Sequence, residues 1–221
     1  MHQFSDYDVV IFDCDGVILD SNTLKIEAMR NALSTSNISQ DYVNQCTTFF
    51  AENFGKSRFY HIDYFVKNIL NIEGPRVEQF KSELLSFYSQ QCKSLYLDAQ
   101  ATPFINKVLT ECTATMYVAS GSEQQELRGV FKQRKLDGYF EAVYGSPEKK
   151  VNHVTSILAK HPKSKAVMIG DAVSDLEAAK DNNIDFIFYS PFSNVETKMR
   201  ELCPKFNYRT IDCFEEVLKE L

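Results

Sequence analysis

Asp13-Cys14-Asp15-Gly16-Val17 sets two carboxylates two residues apart, directly after an apolar run, Val9-Val10-Ile11-Phe12. Side chains alternate faces along a strand, so residues two apart point the same way. Here the strand ends in two negative charges with a glycine behind them. Such charges are costly to bury unless something neutralises them. A hard cation such as Mg²⁺, which takes oxygen ligands, would do so. The motif points to metal-assisted chemistry on an anionic substrate.

The run before Asp13 reads as the first of five buried parallel strands. The others are Ala114–Ala119, Ala142–Tyr144, Ala166–Ile169 and Phe186–Tyr189, all short and rich in β-branched or aromatic residues. Helical spacing separates the later runs, as in Leu127, Val130, Phe131 and Val154, Ile157, Leu158. Alternating strand and helix predicts a doubly wound α/β sheet. The stretch from about Ser21 to Gln100 has no strand pattern. It is helical, is broken at Gly74-Pro75, and holds 12 of the 28 Phe and Tyr residues between Tyr42 and Tyr96. That density predicts a small helical domain with its own core. The expected division is an α/β core of residues 1–20 and 96–221, interrupted by an all-α insert of residues 21–95.

The chain is 221 residues with net charge −6. It has length enough for a sizeable core, and its charge disfavours nonspecific binding to nucleic acid or anionic membrane. Cys14, Cys46, Cys92, Cys112, Cys203 and Cys213 form no CxxC pair and no zinc-type cluster, so they read as reduced thiols. No apolar run approaches a membrane span, and the N-terminus lacks signal-peptide character. The expectation is a cytoplasmic protein, monomer or homodimer, without nucleic-acid or membrane partners.

Open α/β sheets bind ligands at the carboxyl ends of their strands. Polar residues just past the expected strand ends form one set. They are Asp13 and Asp15, then Ser120-Gly121-Ser122, then Gly145-Ser146-Pro147 with Lys149 and Lys150, then Gly170-Asp171 through Ser174-Asp175. Acids, a hydroxyl, backbone amides and a lysine would meet on one sheet edge. His2, His61, His153 and His161 fit no metal or triad pattern and read as structural. Asp20 reads as a local cap or turn residue, and Cys14, facing away from the acids, as core.

This set, in this order, resembles the haloacid dehalogenase superfamily of phosphohydrolases, with DxDGV, a Ser at the second strand end, a Lys before a helix, and GDxxxD. The helical insert matches the position of that family's type 1 cap, as in its β-phosphoglucomutase-like and phosphoglycolate phosphatase-like members. The resemblance implies a Rossmann-like core and an aspartyl-phosphate intermediate. Asp13 would be the nucleophile, and Asp15 the acid that protonates the leaving oxygen and the base that then activates water. Mg²⁺ would be held by Asp13, the backbone carbonyl of Asp15 and Asp171, with Asp175 acting through water or orienting the ligands. Ser120 and Gly121 would hold phosphoryl oxygens. Lys150, where a helix begins, is the preferred cation; Lys149 is the alternative, because the family's usual Lys-Pro is absent.

Asp15 argues against dehalogenase and phosphonate chemistry, since an alkoxide leaving group needs a proton donor. Gly55-Lys56-Ser57-Arg58 resembles a cap stretch whose arginine holds a distal phosphate, which makes Arg58 a candidate substrate ligand beside an alternative as an exposed helix-start residue. Lys25 stands where the mutases carry a histidine, within expected reach of the substrate or Asp15. The expected function is a Mg²⁺-dependent phosphatase of a small phosphorylated metabolite such as a sugar phosphate. The alternatives are a phosphomutase and a non-catalytic phosphate-binding protein.

Overall fold

The computed structural model describes residues 2–221. Its strands are β1 (Val9–Phe12), β2 (Leu19–Asp20), β3 (Gln100–Ala101), β4 (Thr115–Glu123), β5 (Ala142–Ser146), β6 (Ala166–Gly170), β7 (Asp185–Tyr189) and β8 (Arg209–Ile211). Six of them form one parallel sheet in the order β5-β4-β1-β6-β7-β8. The five expected strands are all present. The sixth, β8, is a three-residue edge strand whose Arg and Thr carry no apolar pattern.

The helices are α1 (Asn22–Ser34), α2 (Gln40–Glu52), α3 (Arg58–Tyr64), α4 (Arg76–Asp98), α5 (Ile105–Glu111), α6 (Gln124–Gln133), α7 (Lys150–Lys160), α8 (Val173–Asp181), α9 (Glu196–Leu202) and α10 (Glu215–Leu218). Side-chain alternation on the strands splits the core into two layers. Val9, Ile11, Met168, Phe186 and Phe188 face α7 and α8. Val10, Phe12, Val118, Val167 and Ile169 face the opposite layer, with Val108 of α5 and Leu127 and Phe131 of α6.

Helices α1–α4 form the insert. Two short chain crossings tie it down, because β2 and β3 pair antiparallel, Leu19 to Ala101 and Asp20 to Gln100. Helix α4 carries on to Asp98, past residue 95. The insert's interior does not stand alone. Leu33, Val43, Phe50 and Tyr88 belong to the same apolar cluster as Phe12 and Val118. Val17, Ile18, Leu19 and Ala99, all in that cluster and at most 2% exposed, form the bridge. A separate insert core is thus replaced by one continuous core, because the crossings themselves are apolar.

Candidate active site

Strand β1 lies between β4 and β6, and the sheet order reverses there. Such a switch point opens a crevice at the carboxyl ends of the strands. Asp13 and Asp15 leave β1 into it, and Asp171 and Asp175 come after β6. Gly16 turns the chain with φ +74. A Cβ there would sit 2.3 Å from Asp171 Oδ2 and 2.5 Å from Asn22 Nδ2, so glycine is required for space as well as for backbone.

Asp13, Asp171 and Asp175 are buried, and each offers an oxygen within 4.8 Å of the others. Lys150 Nζ stands 3.1 Å from Asp13 Oδ1 and bonds Asp175 Oδ1. Asp175 Oδ2 accepts from the amide of Ala172 at the start of α8. Lys149 is exposed and caps α7, so the cation at this site is Lys150. One lysine cannot neutralise three carboxylates. Both Asp13 oxygens and Asp171 Oδ1 are buried without a hydrogen-bond partner. Burial pushes the Asp13 carboxyl up to about 7, against the pull of Lys150, with Asp175 and Asp15 adding to the rise. Burial, then Asp13 and Asp175, hold Asp171 well above the ordinary range. Unpartnered, buried, all-oxygen donors with surplus negative charge fit a hard divalent cation.

Asp15 faces a different set. Its carboxylate accepts from Ser21 Oγ at 2.6 Å, Lys25 Nζ at 2.8 Å, Tyr96 OH at 2.8 Å and Ser122 Oγ at 2.9 Å. Burial pushes this carboxyl up, but Lys25 and the hydroxyls outweigh it and hold it below the usual range. Asp15 is therefore an anion locked at the crossing between core and insert. Lys25 bridges it to Ser122 at 2.8 Å.

Strand β4 shifts register between Ala119 and Glu123, where Ser120-Gly121-Ser122 bulges toward the crevice. Ser120 is buried, and its Oγ accepts from the Ser122 amide at 3.1 Å. A Cβ on Gly121 would lie 2.4 Å from the Gly55 carbonyl oxygen, so the insert's loop rests directly on this bulge. The cavity left between Asp15, Lys25, Arg58, His61, Gly121 and Ser122 is about 10 Å³, room for about one water. The insert is closed over the crevice. Beside Gly121 and Lys150 the seam widens into an outer groove of about 390 Å³ between Lys56 and Lys149.

Arg58 begins α3 at the cavity wall and is buried, not exposed. Its guanidinium forks onto Glu126 of α6, Nη1 to Oε1 at 3.0 Å and Nη2 to Oε2 at 2.7 Å, and Nη1 also donates to Ser89 Oγ at 2.5 Å.

The sequence matches the family model described as haloacid dehalogenase-like hydrolase over residues 10–189. The chain belongs to this family. Solved structures share the fold at low identity. A predicted phosphatase from Clostridium acetobutylicum is 18% identical, with 96% of this chain and 97% of that chain covered and a TM-score of 0.73. A β-phosphoglucomutase from Clostridium difficile is 16% identical, with 97% and 96% covered and a TM-score of 0.67. The HAD-hydrolase YfnB of Bacillus subtilis, solved with magnesium, is 16% identical, with 84% and 89% covered and a TM-score of 0.60. A search of curated proteins finds no match.

In this haloacid dehalogenase-like chain, Asp13, Lys150, Asp171 and Asp175 come together at one point, while Asp15 and Lys25 form a neighbouring pair. Several residues of the site carry no motif. Asn22 donates from Nδ2 to Asp171 Oδ2 at 2.6 Å and to the Phe192 carbonyl at 2.8 Å, tying α1 to the acid cluster. Tyr96 and Ser122 hold Asp15; Ser122 stands in the expected strand-end set but without this role, and no local signal marks Tyr96. His61, expected to be structural, lines the cavity; burial, with Lys25 and Lys56, pulls its imidazole down to about 3, so it is neutral. His153 and His161 are spent elsewhere, on the Gly145 carbonyl and the Tyr117 hydroxyl. All six cysteines are free thiols. Among the described residues, no helix is long and apolar enough to cross a membrane.

Proposed function

We propose that this chain is a Mg²⁺-dependent phosphoric monoester hydrolase that acts on a small phosphorylated metabolite, a sugar phosphate or similar. The strongest support is the set of three buried carboxylates around one lysine, in which Asp13 Oδ2 and Asp171 Oδ1 have no partner and Asp13 Oδ1 has only the Lys150 ion pair. Asp13, Asp171 and the Asp15 backbone carbonyl would hold the cation, with Asp175 orienting Lys150 and the Ala172 amide. A bound Mg²⁺ would neutralise the carboxylates and polarise a phosphoryl oxygen.

Asp13 attacks phosphorus in line, and the bond to the leaving oxygen breaks as the acyl phosphate forms. Lys150, 3.1 Å from Asp13, offsets the charge of nucleophile and phosphoryl group together. Ser120 and the Gly121 amide hold phosphoryl oxygens. Asp15 gives a proton to the leaving oxygen, then takes one from the water that hydrolyses the acyl phosphate. In the closed arrangement Lys25 keeps Asp15 ionised, the form that activates water. The acid step needs Lys25 to draw back, which would let burial raise the carboxyl. The insert excludes water from the first transfer.

Transfer to water is favoured over return of the phosphoryl group to a sugar, because Arg58 is already bound to Glu126. Asp13→Asn tests the reading with p-nitrophenyl phosphate and Mg²⁺. Phosphate release should vanish while the circular dichroism spectrum stays that of the parent. A folded variant with full activity would end the proposal.

A further inference from the structure

The leaving-group side of the cavity is defined by a pair of residues from opposite sides of the seam. Arg58 opens α3 of the insert, and Glu126 is the third residue of α6 in the core. Their contact is bidentate, at 3.0 and 2.7 Å, with side chains 3% and 12% exposed. Ser89 takes a further guanidinium hydrogen, and the Tyr88 ring lies 4.9 Å from Cζ. A fork so engaged has its carboxylate-matching edge filled. Lys25, another cation of the cavity, is filled too, by Asp15 and Ser122. Two of the three cations lining the cavity cancel in pairs, Lys25 with Asp15 and Arg58 with Glu126, while the third, Lys56, sets its ammonium 4.7 Å from the ring of the exposed Tyr60. The aromatic part of the wall is Phe50, Phe54, Tyr88 and His61.

We propose that Glu126 is a specificity-determining residue, which by occupying Arg58 restricts the site to phosphate monoesters whose leaving group carries no second anionic group. The inference rests on the reading of this cavity as the leaving-group side of a phosphoester site. A distal carboxylate or phosphate can reach Arg58 in the closed state only by displacing Glu126. That leaves a buried carboxylate without its cation, the costly half of breaking a buried ion pair. A neutral leaving group lets the pair form as the insert closes. Glu126 acts through Arg58 and touches no substrate, so it is a positioning residue. Its place in the first turn of α6 also suits the helix dipole, and a merely structural role there would affect all substrates alike.

The discriminating measurement is a ratio. Dissociation constants for 2-hydroxyethyl phosphate and phosphoglycolate, which differ by a distal carboxylate, are measured by calorimetry in the Asp13→Asn background. Binding is then read without turnover, and hydrolysis of the same two esters by the parent enzyme reports separately on the phosphatase reading. The parent pocket should favour the hydroxyethyl ester at least tenfold. Glu126→Gln should shift the ratio at least tenfold toward phosphoglycolate, with Glu126→Ala as the second variant if the first folds poorly. Adding Arg58→Met should cancel the shift. Preference for phosphoglycolate in the parent pocket, or a ratio that Glu126→Gln and Glu126→Ala leave unmoved, would overturn the proposal. So would a shift that survives loss of Arg58.

Discussion

Asp13→Asn should stabilise the metal-free protein while destroying its activity. The substitution keeps the shape of the side chain and removes one of three buried charges that share Lys150. Burial pushes the Asp13 carboxyl up to about 7 from an ordinary 3.8. The folded chain therefore binds this proton more tightly than the unfolded chain does. Stability is full below about 3.8 and is lost as pH climbs through about 7. Each pKa unit is about 1.4 kcal/mol, so a rise of about three units caps the loss near 4 kcal/mol. An asparagine at this place stays neutral at every pH, so the cost of burying the charge is gone.

In chelator at pH 8 the variant should gain about 2–4 kcal/mol, or roughly 5–10 °C in Tm for a chain of this size. At pH 5 the folded parent keeps its proton, and the gain should shrink to less than half. Scanning calorimetry at the two pH values, with and without Mg²⁺, reads all of this. Added Mg²⁺ should raise the parent far more than the variant and bring the two Tm values together. A variant no more stable than the parent at pH 8 would refute the reasoning. An equal gain at pH 5 and pH 8 would refute its electrostatic cause.

Lys150→Met leaves Asp13 and Asp175 with no cation, and should cost the metal-free protein about 3–5 kcal/mol in urea unfolding as well as all measurable activity. Lys25→Met acts on Asp15, whose depressed carboxyl lends stability above its unfolded pKa and loses it as pH falls. Without Lys25 burial prevails, and the alkaline limb of the kcat/KM–pH profile, set by the acid that must carry a proton for the first transfer, should move up by roughly a unit or more; an unmoved limb would mean Asp15 is not the titrating group. Gly121→Ala puts a Cβ 2.4 Å from the Gly55 carbonyl and should prevent the insert from seating, with kcat down about 10²-fold and the circular dichroism spectrum unchanged.

The sheet and the clustering of the acids with Lys150 are legible from the sequence for one reason. Both are written in short segments whose chemistry is local. β1, β4, β5, β6 and β7 are apolar runs, and the residues just past each of them land at the same edge because the strands are parallel. Asp13, Ser120, Lys150, Asp171 and Asp175 need no knowledge of distant packing beyond that. β8 and the β2–β3 pair escape notice because two or three residues hold too few side chains to show a period. The insert's helices are legible, but their merger with the core is not. It depends on Val17, Ile18, Leu19 and Ala99 being apolar at a place where linkers are more often polar.

The proposed leaving-group side resists sequence reading because its meaning lies in pairs far apart along the chain. Arg58 meets Glu126, Lys25 meets Ser122, and Tyr96 meets Asp15, each across 68 or more residues. An arginine in the insert is a free anion receptor or a spent one according to whether a carboxylate waits on α6. No local spacing tells the two apart. Glu126 carries only the signature of a helix first turn, which acids occupy for dipole reasons alone. The same holds for Asp15, proposed as the proton carrier, whose charge state is set by Lys25 and Tyr96 from α1 and α4. The chemistry at phosphorus can thus stay fixed while substrate choice changes through single residues at the seam. Tests of substrate class therefore belong on Glu126 and Arg58, not on the aspartates.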